Sequence, residues 1–176
     1  MVSEVQPMPD RPGTERRGPD RPVEPTAPPT LSVTPDRLAC AFRSDPAHLA
    51  AVRRAAEAFC ATTPLDAAAR NELGLVVNEA IANVIRHAYH GATDQPIELT
   101  VERHGTGVRV TLRDWGNGVI PDPSHNPACA DPLLPGGLGL ICLRSLTDDA
   151  RFEPQPDGGM KLVLTRTTPG RRRPSP

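Results

Sequence analysis

Glu79-Ala80-Ile81-Ala82-Asn83-Val84-Ile85-Arg86-His87-Ala88-Tyr89 is the stretch on which the fold of this 176-residue chain turns. It lies in the strongest periodic segment, Asp66 to His90, where Leu73, Val76, Val77, Ala80, Ile81 and Val84 recur at steps of three and four. That spacing predicts one long helix with an apolar face, closed by Gly91. Offset from the apolar stripe, Glu79, Asn83 and His87 fall at steps of four, one turn above another. Such a polar row suits a solvated helix face. It also combines a carboxylate that can accept a proton, an amide oxygen suited to a hard cation, and an imidazole able to donate to an anion.

Upstream, Leu38, Cys40 and Phe42 alternate over Arg37 to Arg43 in the manner of a strand. Ser44-Asp45-Pro46 then supplies a capping residue and a proline at the first helical position, and Ala47 to Ala61 carries Leu49, Val52, Ala56 and Phe59 on one stripe. Downstream, Ile97 to Arg103 and Val108 to Asp114 alternate as strands, and His104-Gly105-Thr106-Gly107 between them predicts a hairpin with one apolar face. From Trp115 to Gly136 the pattern gives way to a loop rich in Pro, Gly, Asn and Asp, too long for a simple connector and therefore a candidate functional loop. Leu138 to Leu146 returns to helical spacing, and Arg151 to Glu153 and Lys161 to Thr167 read as strands. The order predicts an α+β domain, an antiparallel or mixed sheet with helices on one face.

Composition bounds the rest. Eight of the 22 prolines fall within the first 30 residues, and residues 1–35 hold too little apolar surface to offset their ordering entropy. They are expected to be a disordered tail, as are residues 169–176, a short basic one, leaving a folded domain over 36–168. A net charge of −1 gives no reason to expect nucleic acid or an anionic membrane as partner. No run approaches the roughly 18 apolar residues of a membrane span, and the first 12 residues lack the apolar centre of a signal peptide, so a cytoplasmic protein is expected. Cys40, Cys60, Cys129 and Cys142 are widely spaced, which favours buried reduced thiols over a metal site. No Gly-Lys-Ser/Thr occurs, and Lys161 is the only lysine, which excludes a Walker-type phosphate loop.

Two glycine motifs complete the pattern. Asp114-Trp115-Gly116-Asn117-Gly118 falls where the second hairpin strand ends. Glycines two apart let backbone pass close to a flat ligand, and the Asp can accept a hydrogen bond from an exocyclic amine, although Asp-Gly and Asn-Gly pairs also mark ordinary turns. Gly136-Gly137-Leu138-Gly139-Leu140 opens a helical pattern, where free N–H groups and the helix dipole favour a phosphate; a glycine-rich helix start without a ligand looks the same.

In this order, the Glu79 to Tyr89 stretch, Asp114 to Gly118, and Gly137-Leu138-Gly139-Leu140 leading into Leu146-Thr147-Asp148 resemble the N, G1 and G2 boxes of the GHKL ATPase and kinase superfamily. Within it the chain is similar to the bacterial anti-sigma-factor serine/threonine kinases, a likeness spanning nearly all of residues 36–168. The resemblance implies a two-layer α/β sandwich of the Bergerat ATP-binding type, with a mixed, mostly antiparallel sheet. It implies ATP and Mg²⁺ as cofactors, with Asn83 as the Mg²⁺ ligand and Glu79 as the general base. By the same likeness Asp114 binds the adenine amino group, Gly116 and Gly118 give ring and lid clearance, Gly137 and Gly139 offer N–H groups to the phosphates, and His87 reaches them too. Val119 to Gly136 would be the lid. The chain departs from the family where a Gly-Thr pair is common and Gly159-Met160 stands instead, so a hydroxyl on the adenine side is missing.

The implied activity is phosphorylation of a serine or threonine on an anti-anti-sigma (STAS-type) partner, with sequestration of a sigma factor and a homodimer as further expectations. The alternative is an ATP-binding regulatory interaction module without phosphotransfer; retention of both Glu79 and Asn83 favours the kinase. A histidine kinase needs a helical dimerisation segment with a phospho-acceptor His, which the first 35 residues are too short and proline-rich to supply. A mismatch-repair, gyrase or chaperone ATPase is disfavoured because the chain ends just after the nucleotide domain.

Overall fold

The computed structural model describes residues 27–117, 143 and 145–168. Six strands form one sheet in the order β1-β2-β3-β4-β6-β5: Thr30–Val33 (β1), Arg37–Arg43 (β2), Pro96–His104 (β3), Gly107–Asp114 (β4), Asp149–Pro154 (β5) and Met160–Thr167 (β6). All five pairings are antiparallel. The period-two pattern sets the register, because a slip of one residue would turn each apolar row to water. Leu38, Val101, Val110 and Leu164 lie in one transverse row, and Cys40, Leu99, Leu112 and Leu162 in the next. A third row runs Phe42, Ile97, Asp114, and so ends on a carboxylate. That register places Asp114 on the core side of the sheet, at the strand's last residue.

Two helices cover this face. Leu49–Cys60 (α1) follows a 3₁₀ turn, Pro46–His48, whose N-cap Asp45 accepts from the Ala47 N–H at 2.9 Å, with Pro46 at the first position as its fixed φ favours. Ala67–Asn83 (α2) starts on Asp66, which accepts from the Ala69 N–H at 2.8 Å. Val52, Ala56 and Phe59 of α1 and Leu73, Val76, Val77, Ala80 and Ile81 of α2 are buried against the strand rows in one core. Each large aliphatic side chain fully buried there contributes roughly 1.5–3 kcal/mol. An Arg166–Glu72 ion pair at 2.5 Å ties β6 to α2. The result is the two-layer α+β sandwich expected from the sequence.

Two boundaries differ from the sequence reading. The stretch read as a tail over 1–35 contains β1, which pairs Thr30–Val33 with Leu38–Ala41; a four-residue strand with every residue exposed gives no burial pattern to read. The helix expected through His90 is α-helical only to Asn83 and widens into a π-helical turn over Val84–Ala88. There the Tyr89 N–H donates to the Val84 carbonyl at 3.0 Å, five residues back, and Gly91, at φ 82°, donates to Ile85. π-Turns interrupt α-helices mainly at functional sites.

Cys40 and Cys60 are buried free thiols, and burial pushes them up to about 11 and about 12, so both are protonated and unreactive at neutral pH. Cys129, Cys142, the remaining tail residues 1–26 and 169–176, and the greater part of the helix expected over Leu138 to Leu146 lie outside the described residues. Among the described residues no helix is long and apolar enough to cross a membrane.

Candidate functional site

The π-turn that follows α2 meets the residues that follow β4. Register puts Asp114 on the core face beside Ile97, where it is 3% exposed. Its carboxylate accepts the Gly116 N–H at 3.0 Å and a further backbone N–H from Met160. Burial pushes its pKa above the ordinary 3.8, while these two N–H groups and the Arg113 charge pull the other way. A carboxylate so held keeps free acceptor positions for an amine donor.

Tyr89 joins the two elements. Its buried hydroxyl donates to the Pro96 carbonyl at 2.5 Å and accepts the Trp115 N–H at 2.8 Å. Burial raises its pKa, so it remains a donor at neutral pH. Alongside, the Asn117 N–H donates to the Ala88 carbonyl at 3.2 Å. Gly116 packs so closely that a Cβ would lie 2.5 Å from that carbonyl oxygen. The missing side chain of Gly116 thus serves the contact between loop and helix end. Gly159, at φ 72°, passes the loop from the other side, where a Cβ would meet the Asp114 carbonyl oxygen and come within 2.5 Å of Trp115 Cα. In the Gly159-Met160 pair, the glycine makes this approach possible and the Met160 backbone supplies a bond to Asp114; the residue's side chain is not what reaches the carboxylate.

Arg113 locks the same corner. Its guanidinium donates to the Asp114 carbonyl, to the Gly158 carbonyl at 2.7 Å and to Asp157 at 2.8 Å, and it lies 4.4 Å from the centroid of the Trp115 ring. The Trp115 indole N–H donates to the other Asp157 oxygen at 3.2 Å. Asp157's own backbone N–H, with the Trp115 and Arg113 bonds, holds its carboxyl below the usual range.

At the helix, Glu79 and Asn83 sit half-buried one turn apart in α2, as their spacing predicts, and His87 lies exposed in the π-turn. The side chain that bonds to both is Arg86. Its Nη2 donates to Asn83 Oδ1 at 3.1 Å and stands 3.6 Å from Glu79 Oε2. Sequence reasoning missed Arg86, Tyr89 and Arg113 as parts of the site. One signal was present: Tyr89 is the only tyrosine, at the end of the helix expected to carry an apolar face, and a phenol that becomes buried needs hydrogen-bond partners.

Gly118, Gly137, Gly139 and the lid expected over Val119 to Gly136 lie outside the described residues. Among the described residues, no three His, Cys, Asp or Glu side chains gather as a metal-binding group. A trough of about 490 Å³ lies on the open face of the sheet, lined by residues such as Glu102, Arg109, Thr111 and Lys161 that alternate with the core rows. It is on the side opposite Asp114, and its charges are largely paired within the sheet, as Lys161 with Glu153 at 2.5 Å and Arg151 with Asp149 at 2.8 Å.

The chain is 26% identical over 140 residues to the serine-protein kinase RsbW of Listeria innocua, covering 74% of this chain and 87% of the relative. It is 28% and 26% identical over 98 residues to the anti-sigma F factors of Bacillus velezensis and Bacillus subtilis, in each case 54% of this chain and 67% of the relative. The family model of the histidine kinase-like ATPase domain matches residues 42–166, from the end of β2 to the end of β6 and across every element that builds the site. The chain therefore belongs to the histidine kinase-like ATPase domain family.

Proposed function

We propose that this chain is an ATP-dependent serine/threonine protein kinase that phosphorylates an anti-anti-sigma (STAS-type) partner and holds a sigma factor. The observation that carries this reading is the joining of two chemistries at one corner. A carboxylate and an amide stand one turn apart on α2, and the end of that helix is bonded through Ala88 and Tyr89 to the strand end that bears a buried acceptor. The names of the relatives, a serine-protein kinase and anti-sigma factors, point the same way.

Asp114 is the acceptor for the adenine amino group. Its two intrachain N–H bonds fix the carboxylate before a nucleotide arrives, so little ordering remains to be done on binding. Asn83 fits Mg²⁺ because its Oδ1 is a hard, neutral oxygen on a partly exposed helix position, and Mg²⁺ typically takes few protein ligands alongside nucleotide phosphates. When bound there, the ion neutralises charge on the phosphates. Glu79 is the general base: the hydroxyl oxygen of the partner's Ser or Thr attacks the γ-phosphorus, its proton passes to the Glu79 carboxylate, and the bond to the bridging oxygen breaks to release ADP. His87, Gly137 and Gly139 are the proposed phosphate contacts, Gly116 and Gly118 the clearance for ring and lid, and Val119 to Gly136 the proposed lid.

The test uses γ-labelled ATP, Mg²⁺ and a candidate STAS-type protein. Label should move to the partner, and Glu79→Ala should lower that transfer about a thousandfold while ADP affinity stays within about twofold. Nucleotide binding with no label on any partner would instead establish a regulatory module without phosphotransfer.

A further inference from the structure

The proposed base and the proposed metal ligand share one neighbour, and it is a cation. Arg86 projects back along the helix: Nε donates to the Ala82 carbonyl at 3.2 Å, and Nη2 reaches both Asn83 Oδ1 at 3.1 Å and Glu79 Oε2 at 3.6 Å. The atom of Asn83 that accepts this bond is the only atom of that side chain able to bind a metal, since the other is an amide nitrogen with two hydrogens. The Glu79 charge that would help to draw a divalent cation to this face is also the one that the guanidinium neutralises. The contact is built to open: the Arg86 side chain is 42% exposed, and none of its three bonds reaches beyond its own helix.

On the reading of Asn83 given above, we infer that Arg86 competes with Mg²⁺ for the Asn83–Glu79 pair and so sets the divalent-cation requirement of nucleotide binding. A guanidinium and a dication cannot both lie against one amide oxygen without strong repulsion, so loading the metal obliges Arg86 to turn outward. The cost of that turn is the loss of an exposed ion pair and one charge-assisted hydrogen bond, equivalent to about a fivefold change in an equilibrium. Arg86 is thus a positioning residue. It holds Glu79 and Asn83 in one geometry and yields them to the cation.

The experiment measures ADP affinity by calorimetry across a Mg²⁺ series for the wild-type chain, Arg86→Ala, Arg86→Lys and Asn83→Ala. Arg86→Ala should lower the half-saturating Mg²⁺ concentration about fivefold. Affinity for ADP in excess chelator should stay within about twofold, a separation that a purely structural role would not produce. Arg86→Lys keeps the charge without the planar fork and should fall between, which leaves a readout if the alanine variant folds poorly. An unchanged or higher Mg²⁺ requirement in Arg86→Ala overturns the inference. If Asn83→Ala raises the requirement while Arg86→Ala leaves it unmoved, only the role of Arg86 falls. If Asn83→Ala also leaves it unmoved, the metal assignment itself is wrong and the inference falls with it.

Discussion

The strand end around Asp114 and the helix face around Asn83, which the proposed function joins in one site, are built in opposite ways. Asp114 is 3% exposed, its carboxylate takes two backbone N–H bonds, and Tyr89, Arg113, Gly116 and Gly159 fix the loop that follows it. Asn83 and Glu79 are half-exposed, and the side-chain bonds between them run through the exposed Arg86. An acceptor that must select one exocyclic amine gains from being fixed in advance, because an ill-placed acceptor loses both affinity and discrimination. Groups that meet a metal, phosphates and an incoming hydroxyl must exchange partners during turnover. On the proposed function, the contrast is between a recognition end held by the fold and a reaction end held by displaceable charge.

The largest expected effect tests how rigid the recognition end is. Gly159→Ala forces a side chain at φ 72° into the Asp114–Trp115 backbone, just beyond the last β4–β6 pair, Arg113 with Lys161. A loss of about 3 kcal/mol is expected, lowering the melting temperature by about 10 °C. A melting curve within a degree of wild type would mean that the corner is soft and the contrast unfounded. Asp114→Asn should come next, weakening ADP about thirtyfold, since an amide turns one acceptor oxygen into a donor facing either the chain's N–H groups or the adenine amine. Calorimetry reads that loss directly. Tyr89→Phe removes the hydroxyl that bridges Pro96 and Trp115, leaving one part-buried carbonyl and one part-buried N–H short of a partner, and should cost about 1.5 kcal/mol in a denaturant titration.

The same contrast explains what could be read in advance. Alternation in Leu38-Cys40-Phe42, Ile97-Leu99-Val101 and Val108-Val110-Leu112 determines strand faces locally, so the sheet and the buried side of Asp114 were legible. Spacing of four likewise placed Glu79 and Asn83 together on α2. What escaped was mostly non-local or broke a period. The π-turn adds a residue to a helical turn that a 3.6-residue period cannot register, whereas Arg86, three residues after Asn83 and seven after Glu79, lies at ordinary helical spacing from both and was passed over as a solvated charge. Arg113 alternates out of the core and reads as a solvated charge, yet the β5–β6 turn folds over it, a contact between residues 44 positions apart. Strand β1 has no buried residue, and hydrogen bonding alone leaves no mark in composition.

The smallest effect separates the two ends by pH. Burial raises the pKa of Asp114 above its ordinary 3.8, so the folded chain holds that proton more tightly than the unfolded chain does. The stabilising contribution of protonated Asp114 is fully present below pH 3.8 and is lost as pH rises through the higher folded value. At neutral pH, the ionised carboxylate is consequently a cost to the fold, and Asp114→Asn removes the charge that has to be desolvated. Binding has the opposite sign, because an amine donor is accepted best by the ionised form. ADP affinity should therefore fall on acidification while the pH is still above 3.8, and the Asp114→Asn protein, already weak, should show no such acid limb. An acid limb that persists unchanged in Asp114→Asn would assign the titration to another group and remove Asp114 from the adenine contact, leaving its burial to be explained by packing alone.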